Sequence, residues 1–188
     1  MINSFLTKTE IAQLGLGGYG ENVKISRYAQ IYNPSSLFLG NSVRIDDFCV
    51  ISATAEIRIG NHVHIAPFCG LYGGGGIIIG DLSGISSRVA LYSISDDFTG
   101  FAMVGPMVPA NYRFVKKAPI ILGKHTVIGT GATLMPGVVA PEGNAVGAHS
   151  FVTESFEPWS IYSGIPAVKI GIRNKRMLKL EKLFIKTQ

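Results

Sequence analysis

The sequence has few charged residues, and this shortage limits what the chain can be. Only 15% of its 188 residues are charged, against about 25% in typical globular domains. No apolar run approaches the ~18 residues that a membrane-spanning helix needs. The N-terminus also lacks the basic and long apolar segments of a secretion signal. We therefore expect one soluble, cytoplasmic domain over residues 1–188 with no integral membrane segment.

Cysteine is also scarce, which excludes a disulfide framework. The two cysteines, Cys49 and Cys69, are expected to be buried, reduced thiols. The net charge is +5, and the basic residues cluster late in the chain. Such a tail can bind nucleic acid, an acidic membrane or a phosphorylated small molecule, or it can form a solvated helix face. No nucleic-acid motif is present, so no nucleic-acid partner is expected.

A six-residue periodicity of aliphatic side chains is the strongest signal in the sequence. From Leu39 to Leu91 it advances in steps of six and slips by two residues after every third position; it is then interrupted, and from Leu122 to Val152 it advances by six without a slip. Neither a strand, with period 2, nor a helix, with period 3.6, explains a strict six. Fourteen of its fifteen positions are isoleucine, leucine or valine: Leu39, Ile45, Ile51, Ile59, Ile65, Leu71, Ile79, Ile85, Leu91, Leu122, Ile128, Leu134, Ala140, Val146 and Val152.

A stack of triangular coils explains this period, with one short strand and one corner per hexapeptide. The aliphatic residue points inward, and a small residue four positions later, such as Cys49 or Cys69, fills the corner. Glycine often follows the aliphatic, as at Gly40 and Gly60, and is expected to supply backbone conformations that other residues resist. The pattern predicts an all-β fold, a left-handed parallel β-helix of hexapeptide repeats over residues 19–157.

The remaining segments are predicted to be a long loop and two helices. The loop, residues 95–119, interrupts the coils, and a structureless excursion of this length is usually functional. It contains Asp96 and Asp97; the alternative is that it only supports a neighbouring subunit. An N-terminal cap, residues 1–18, contains a short helix over 7–14 with a Thr7–Glu10 capping box. The C-terminal segment, 158–188, contains a helix over 172–187 that caps the open end or packs on a partner.

The chain resembles the hexapeptide-repeat acyltransferases, especially the sugar O- or N-acetyltransferases of bacterial polysaccharide and lipopolysaccharide synthesis, with galactoside and maltose acetyltransferases as wider relatives. The resemblance rests on ILGKHTVIGTGATLMPGV (121–138) and VGAHSFVTESFEPWSIYSGIPA (146–167). It implies a homotrimer whose active sites lie between subunits. It also implies transfer of an acetyl group from acetyl-CoA to a hydroxyl or amino group of a sugar or sugar conjugate, with no metal required.

The same resemblance implies positions for coenzyme A. It places Gly129 and Thr130 on one wall of an inter-subunit groove, and Gly147, Ala148 and Thr153 on the other. Relatives often have lysine after Thr153, but this chain has Glu154. The candidates to meet the phosphates are therefore Lys169 and Arg173. Trp159 either closes the groove or packs at the final corner.

The general base is the open question in the sequence. Galactoside-type relatives use a histidine of the loop, but the four histidines here, His62, His64, His125 and His149, all lie elsewhere. One alternative is that Asp96 or Asp97 replaces it, either as the base or as a sugar-binding group, and two adjacent carboxylates at a dry interface leave one of them with a raised pKa. Another is that His64 is the base, oriented by a loop aspartate. The third is that a bound neutral amine needs no protein base.

Other functions remain open from the sequence. A carbonic-anhydrase-type metalloenzyme would need three convergent histidines, which the spacing does not favour. A non-catalytic scaffold or binding module is the more serious alternative, because fold alone does not define function. A xenobiotic acetyltransferase is a further possibility.

Overall fold

The first half of the chain winds into a three-sided parallel β-helix, as the six-residue pattern predicts. The computed structural model describes residues 4–186. In it, the chain from residue 18 to residue 92 forms twelve strands of two or three residues each. They are β1 (Gly18–Tyr19), β2 (Lys24–Ile25), β3 (Gln30–Tyr32), β4 (Leu37–Leu39), β5 (Arg44–Ile45), β6 (Val50–Ser52), β7 (Ile57–Ile59), β8 (His64–Ile65), β9 (Gly70–Tyr72), β10 (Ile77–Ile79), β11 (Gly84–Ile85) and β12 (Ala90–Tyr92).

A hairpin leaves the prism after β12. Its strands, β13 (Ile94–Asp96) and β14 (Val115–Lys117), pair in antiparallel fashion, with Ser95 opposite Lys116. The prediction of a structureless excursion over 95–119 is therefore wrong at both ends, because this pairing orders the base and leaves 97–114 as the loop. The coils then resume with β15 (Ile120–Leu122), β16 (Val127–Ile128), β17 (Thr133–Leu134), β18 (Val139–Ala140), β19 (Ala145–Val146) and β20 (Phe151–Val152).

The strands form the three sides of the prism. The first sheet has the order β1-β4-β7-β10-β15-β18, and the third has β20-β17-β12-β9-β6-β3. The second runs β2-β5-β8-β11-β16-β19 and is extended by a C-terminal hairpin of β21 (Ser160–Gly164) and β22 (Ala167–Ile172). Because β10 pairs directly with β15, and β12 with β17, the stack is continuous across the hairpin.

The core is the predicted column of aliphatic side chains. Ile45 pairs with Ile65, and Ile51 with Leu71, and all four are fully buried. Burying each such side chain contributes about 1.5–3 kcal/mol relative to its exposure. Cys49 and Cys69 are free, buried thiols at equivalent corners, with each sulfur 3.1–3.2 Å from a carbonyl of the next coil. The predicted fold class is confirmed.

The glycines that follow the inward aliphatics have a different role from the one predicted. Positive φ angles occur at Ser42, His62 and Leu82, two residues after Gly40, Gly60 and Gly80, and not at those glycines. A Cβ on Gly60 would instead lie 2.8 Å from the backbone nitrogen of Asp81 in the next coil. Glycine is required there by close packing between coils, not by conformational freedom.

A hydrogen-bond ladder of side chains, which sequence reasoning missed, supports the same corner. The Asn61 side-chain oxygen accepts from the Asn41 backbone N–H at 2.8 Å, and the Asp81 carboxylate accepts from the Asn61 N–H at 2.6 Å. Backbone donors that the corner leaves unpaired are therefore satisfied from the following coil.

The N-terminal helix agrees with the prediction and the C-terminal helix agrees only in part. Helix α1 (Lys8–Gln13) carries the Thr7–Glu10 capping box. Helix α2 (Met177–Ile185) begins five residues later than predicted, because residues up to Ile172 pair in the β22 strand; predicted position 187, like residues 1–3 of the N-terminal cap, lies outside the described residues. Between residues 4 and 186, no helix is long and apolar enough to cross a membrane.

Candidate active site

A groove of about 340 Å³ runs across the second sheet. We call it the histidine groove. Successive coils supply its walls: His64 belongs to β8, Ser86 and Ser87 follow β11, and Thr130 follows β16. Two residues that the sequence proposed for different tasks, the base candidate His64 and the coenzyme A candidate Thr130, therefore lie on one surface.

His64 is half-exposed in this groove and is hydrogen-bonded on its other side. Its Nε2 lies 2.7 Å from Oδ2 of Asp46, and Oδ1 of Asp46 accepts from Nε of Arg44 at 2.6 Å. Within one chain the carboxylate of the preceding coil, and not a loop aspartate, contacts His64; orientation of His64 by a loop aspartate stays a prediction. Burial alone would raise the pKa of the Asp46 carboxyl, but the hydrogen bonds from Arg44 and His64 together hold that pKa below its ordinary value.

A second cleft, of about 280 Å³, opens beside the base of the hairpin. We call it the loop cleft. It brings together Asp96 and Asp97 with Thr153, over an apolar floor that includes Phe151 and Met135. None of the lining residues is shared with the histidine groove. The predicted site residues are thus divided between two surfaces of one chain.

The two loop aspartates differ in their environment. Asp97 is partly exposed and accepts hydrogen bonds from the Thr99 hydroxyl and N–H, at 2.8 and 3.1 Å, and from the Ala102 N–H at 3.1 Å. These bonds lower the pKa of Asp97 within its own chain; the raised pKa expected of two carboxylates at a dry interface stays a prediction. Asp96 accepts one bond, from the Gly105 N–H at 3.2 Å. Its Oδ1 accepts none within residues 4–186.

The predicted coenzyme A walls are only partly open in the structure. A Cβ on Gly129 would lie 2.6 Å from the Ala148 nitrogen, and one on Gly147 would lie 2.4 Å from the Ser163 hydroxyl. These two glycines are therefore explained by packing of the next coil. Ala148 and Thr153 are exposed, and they remain accessible to a ligand.

The two predicted phosphate contacts have partners in the structure. The Arg173 guanidinium is partly buried and donates to the carbonyls of Asn144, at 3.0 Å, and of His125. Burial lowers the pKa of Arg173. In this conformation the guanidinium anchors the C-terminal segment, and its role as a phosphate contact stays a prediction. Lys169 pairs with Glu157 at 2.6 Å, and this pair is exposed.

Three further side chains, Trp159, His62 and His125, pack against other parts of the fold, whereas His149 is exposed. Trp159 is buried and covers Gly143, so it packs at the final corner. His125 is buried against Glu181, and the His62 ring contacts Phe184 of α2 edge-on. Within the part of the chain that the structure describes, no three His, Cys, Asp or Glu side chains form a metal-binding group.

Sequence reasoning missed Asp46, Ser86 and Ser87. The 20-residue period contained the signal, because Asp46, Ala66 and Ser86 are equivalent positions of successive coils, directly after the inward aliphatic. Twenty residues before His64 lies Arg44 of β5, and Asp46 follows this strand directly. The period therefore places Asp46 next to His64.

A hexapeptide prism with a histidine-containing polar groove and a separate carboxylate cleft is consistent with a hexapeptide-repeat acyltransferase, and comparison with known proteins decides the class. No protein-family profile matches the chain. The chain is 40% identical over 182 residues, 96% of this chain and 95% of the relative, to dTDP-4-amino-4,6-dideoxy-D-glucose acyltransferase of Escherichia coli. It therefore belongs to the sugar acyltransferase family of hexapeptide-repeat proteins.

Solved structures agree with this assignment. AntD, an N-acyltransferase from Bacillus cereus, is 44% identical and aligns over the full length of both chains with a TM-score of 0.97, in a complex with dTDP-4-amino-4,6-dideoxyglucose and coenzyme A. A further AntD complex contains dTDP and 3-hydroxybutyryl-CoA, at 45% identity, coverage of 99% and 98%, and a TM-score of 0.96. A maltose O-acetyltransferase from Clostridium difficile, at 16% identity, coverage of 89% and 75%, and a TM-score of 0.58, shares the fold.

The activity follows from family membership. The chain is an acyltransferase that moves an acyl group from a coenzyme A thioester to an amino or hydroxyl group of a sugar. The scaffold alternative is thereby excluded.

Proposed function

We propose that the chain acylates the 4-amino group of a dTDP-linked 4-amino-4,6-dideoxyhexose. The observation that carries this proposal is the full-length likeness to AntD, whose structure contains such an acceptor together with coenzyme A. The relative from Escherichia coli is named for the same sugar nucleotide. Both proposed substrates carry phosphate groups that do not cross membranes unaided, which supports a cytoplasmic location.

We also propose a homotrimer in which the histidine groove of one copy faces the loop cleft of the next. The division of the candidate residues between two surfaces supports this arrangement, because neither surface alone has both His64 and Asp96. The loop also exposes large apolar side chains: Phe98, Phe101 and Met107 are 89%, 90% and 94% exposed. Apolar groups concentrated in this way are typical of surfaces that a partner covers.

The AntD structures support the same pairing of surfaces. They include variants in which an aspartate, or a serine ten positions before it, is replaced. Ser86 of the histidine groove precedes Asp96 of the loop cleft by the same interval, and Ser87 precedes Asp97 likewise. This spacing favours a site that uses one serine of the groove and one aspartate of the cleft.

The proposed reaction is an aminolysis of a thioester. The lone pair of the neutral amine attacks the acyl carbonyl, the C–N bond forms, and the C–S bond breaks to release the coenzyme A thiolate. One proton leaves the nitrogen and ends on the thiolate. We propose His64 as the group that carries this proton and Asp96 as the carboxylate that holds the amino group in place.

Coenzyme A is proposed to lie along the boundary between the copies, against Thr130 of one copy and Ala148 and Thr153 of the other. Lys169 remains the proposed phosphate contact. Its exposed pair with Glu157 is worth at most about 1 kcal/mol, so a phosphate can displace it.

The test is an acceptor panel. Free thiol is measured with acetyl-CoA and 3-hydroxybutyryl-CoA as donors, against dTDP-4-amino-4,6-dideoxyglucose, dTDP-glucose and chloramphenicol. Rapid release only with the amino sugar supports the proposal. Equal release with dTDP-glucose contradicts N-acylation, and a preference for chloramphenicol indicates a xenobiotic acetyltransferase. Light scattering that gives the mass of a single chain contradicts the trimer.

A further inference from the structure

The acid and base roles of the His64 ring nitrogens are determined by residues of the preceding coil. Asp46 is buried, with a relative exposure of 7%, and both of its carboxylate oxygens are engaged: Oδ1 by Nε of Arg44 at 2.6 Å and Oδ2 by Nε2 of His64 at 2.7 Å. An ionised carboxylate can only accept hydrogen bonds. The proton between Asp46 and His64 therefore belongs to Nε2.

The strand register keeps this arrangement in place. Arg44 lies directly beside His64 in neighbouring parallel strands, and Gly84 lies on the other side of His64. Arg44 and His64 are both about half-exposed, whereas Asp46 is enclosed. Asp46 therefore acts as a buried anchor for two surface side chains, and a neutral imidazole bound to it by Nε2–H has its lone pair on Nδ1.

We propose that Asp46, held by Arg44, is the positioning residue of the active site, which fixes His64 in the tautomer whose Nδ1 accepts the proton of the acceptor amine. This inference rests on the proposed function, because it assigns His64 as the base. When Nδ1 takes the proton, the ring becomes an imidazolium with Asp46 as its counter-ion. The proton then passes to the coenzyme A thiolate, so the histidine and the aspartate are regenerated unchanged. A carboxylate that orients a histidine in this way commonly governs both ring orientation and basicity.

The tautomer can be measured without any substrate. In the full chain labelled with ¹⁵N-histidine, at a pH where the ring is neutral, the His64 nitrogens are expected to show a protonated Nε2 and an unprotonated Nδ1. Asp46→Asn is expected to give a mixture of tautomers, and Asp47→Asn, whose side chain contacts Ser26 instead, is expected to leave the wild-type signals. A protonated Nδ1 in the wild-type chain overturns the proposal regardless of whether Asp46→Asn folds.

A double-mutant cycle on kcat tests the role in turnover. His64→Ala is expected to lower kcat about 10²-fold, and Asp46→Asn about 10-fold or more, with little change in KM for the acyl donor. In the His64→Ala background, Asp46→Asn should have no further effect on kcat, because a positioning residue acts only through the group it positions. Independent, multiplying losses overturn the positioning role. Wild-type kcat in His64→Ala overturns the base assignment in "Proposed function", while the tautomer experiment still reports on Asp46 separately.

Discussion

Glu181 of helix α2 accepts a hydrogen bond from Nε2 of His125, 2.8 Å away, although the two residues are 56 positions apart in the chain. The same carboxylate contacts Lys124. Hydrogen bonds from Lys124 and His125 lower the pKa of Glu181. One side chain therefore attaches the C-terminal helix to a corner of the prism.

We expect Glu181→Gln to lower the melting temperature by about 3 °C, because a charge-assisted hydrogen bond is worth roughly 1–2 kcal/mol and each kcal/mol corresponds to a few degrees in a chain of this size. Calorimetry is the measurement. Glu154→Gln, at an exposed position, is the matched control and should have no effect. An equal fall in melting temperature in both variants would mean that the contacts of Glu181 with Lys124 and His125 do not stabilise the fold.

The attachment should also depend on pH in one direction. Because the pKa of Glu181 is lowered in the folded chain, its contribution to stability is complete above its unfolded value of about 4.3. That contribution is lost as the pH falls further, through the folded value. The protection of the amides in residues 177–185 against hydrogen exchange, relative to their intrinsic rates at each pH, should therefore fall below about pH 4, and in Glu181→Gln this fall should be absent.

Two neighbouring isoleucines of β10 provide a matched test of the core. Ile77 is fully buried and Ile78 is 44% exposed. We expect Ile77→Ala to lower the free energy of unfolding by about 2–5 kcal/mol, and Ile78→Ala by less than about 1 kcal/mol. Urea unfolding followed by circular dichroism measures both. Similar losses of unfolding free energy in the two variants would contradict the assignment of Ile77 to the core and of Ile78 to the surface.

The packing role of the corner glycines has its own test. Gly60→Ala should lower the free energy of unfolding by about 1–3 kcal/mol, because the added methyl would lie 2.8 Å from the backbone of the next coil. Gly84, whose Cβ would meet only the edge of Val127 at 4.0 Å, is the control, and Gly84→Ala should not be destabilising. If both substitutions are tolerated, the coils are less closely packed than described.

The two loop aspartates should differ in their effects on kinetics. We expect Asp96→Asn to lower kcat without changing the melting temperature, because Oδ1 of Asp96 is available to an acceptor. Asp97→Asn should mainly raise KM for the sugar nucleotide, because Asp97 organises the loop through Thr99 and Ala102. Steady-state kinetics with both substrates varied separates these effects. A higher KM in Asp96→Asn and a lower kcat in Asp97→Asn would mean that Asp97 contacts the acceptor and Asp96 organises the loop.

The sequence predicted the fold better than the site. The inward aliphatics repeat strictly, since every coil must bury one residue per side, and the register from Leu39 to Val152 was therefore readable directly. The repeat did not predict which side chains form hydrogen bonds with each other. The interaction between His64 and Asp46 depends on which corner follows which strand, and Arg173 has several carbonyls within reach only after the chain end folds back. Asp97 was predicted as a candidate base. The hydrogen bonds that lower its pKa come from Thr99 and Ala102 of its own loop, and no repeat in the sequence points to them.

The direct pairing of β10 with β15 has a consequence for how such enzymes can be altered. The hairpin of residues 94–117 leaves and re-enters the prism at neighbouring points, since the Ala118 N–H donates to the Ser93 carbonyl at 3.1 Å. An insert held in this way can be lengthened, shortened or exchanged between relatives without shifting a single coil. In the proposed site, where Asp96 of the hairpin contacts the acceptor, selectivity for the acceptor could thus diverge while the coils stay unchanged.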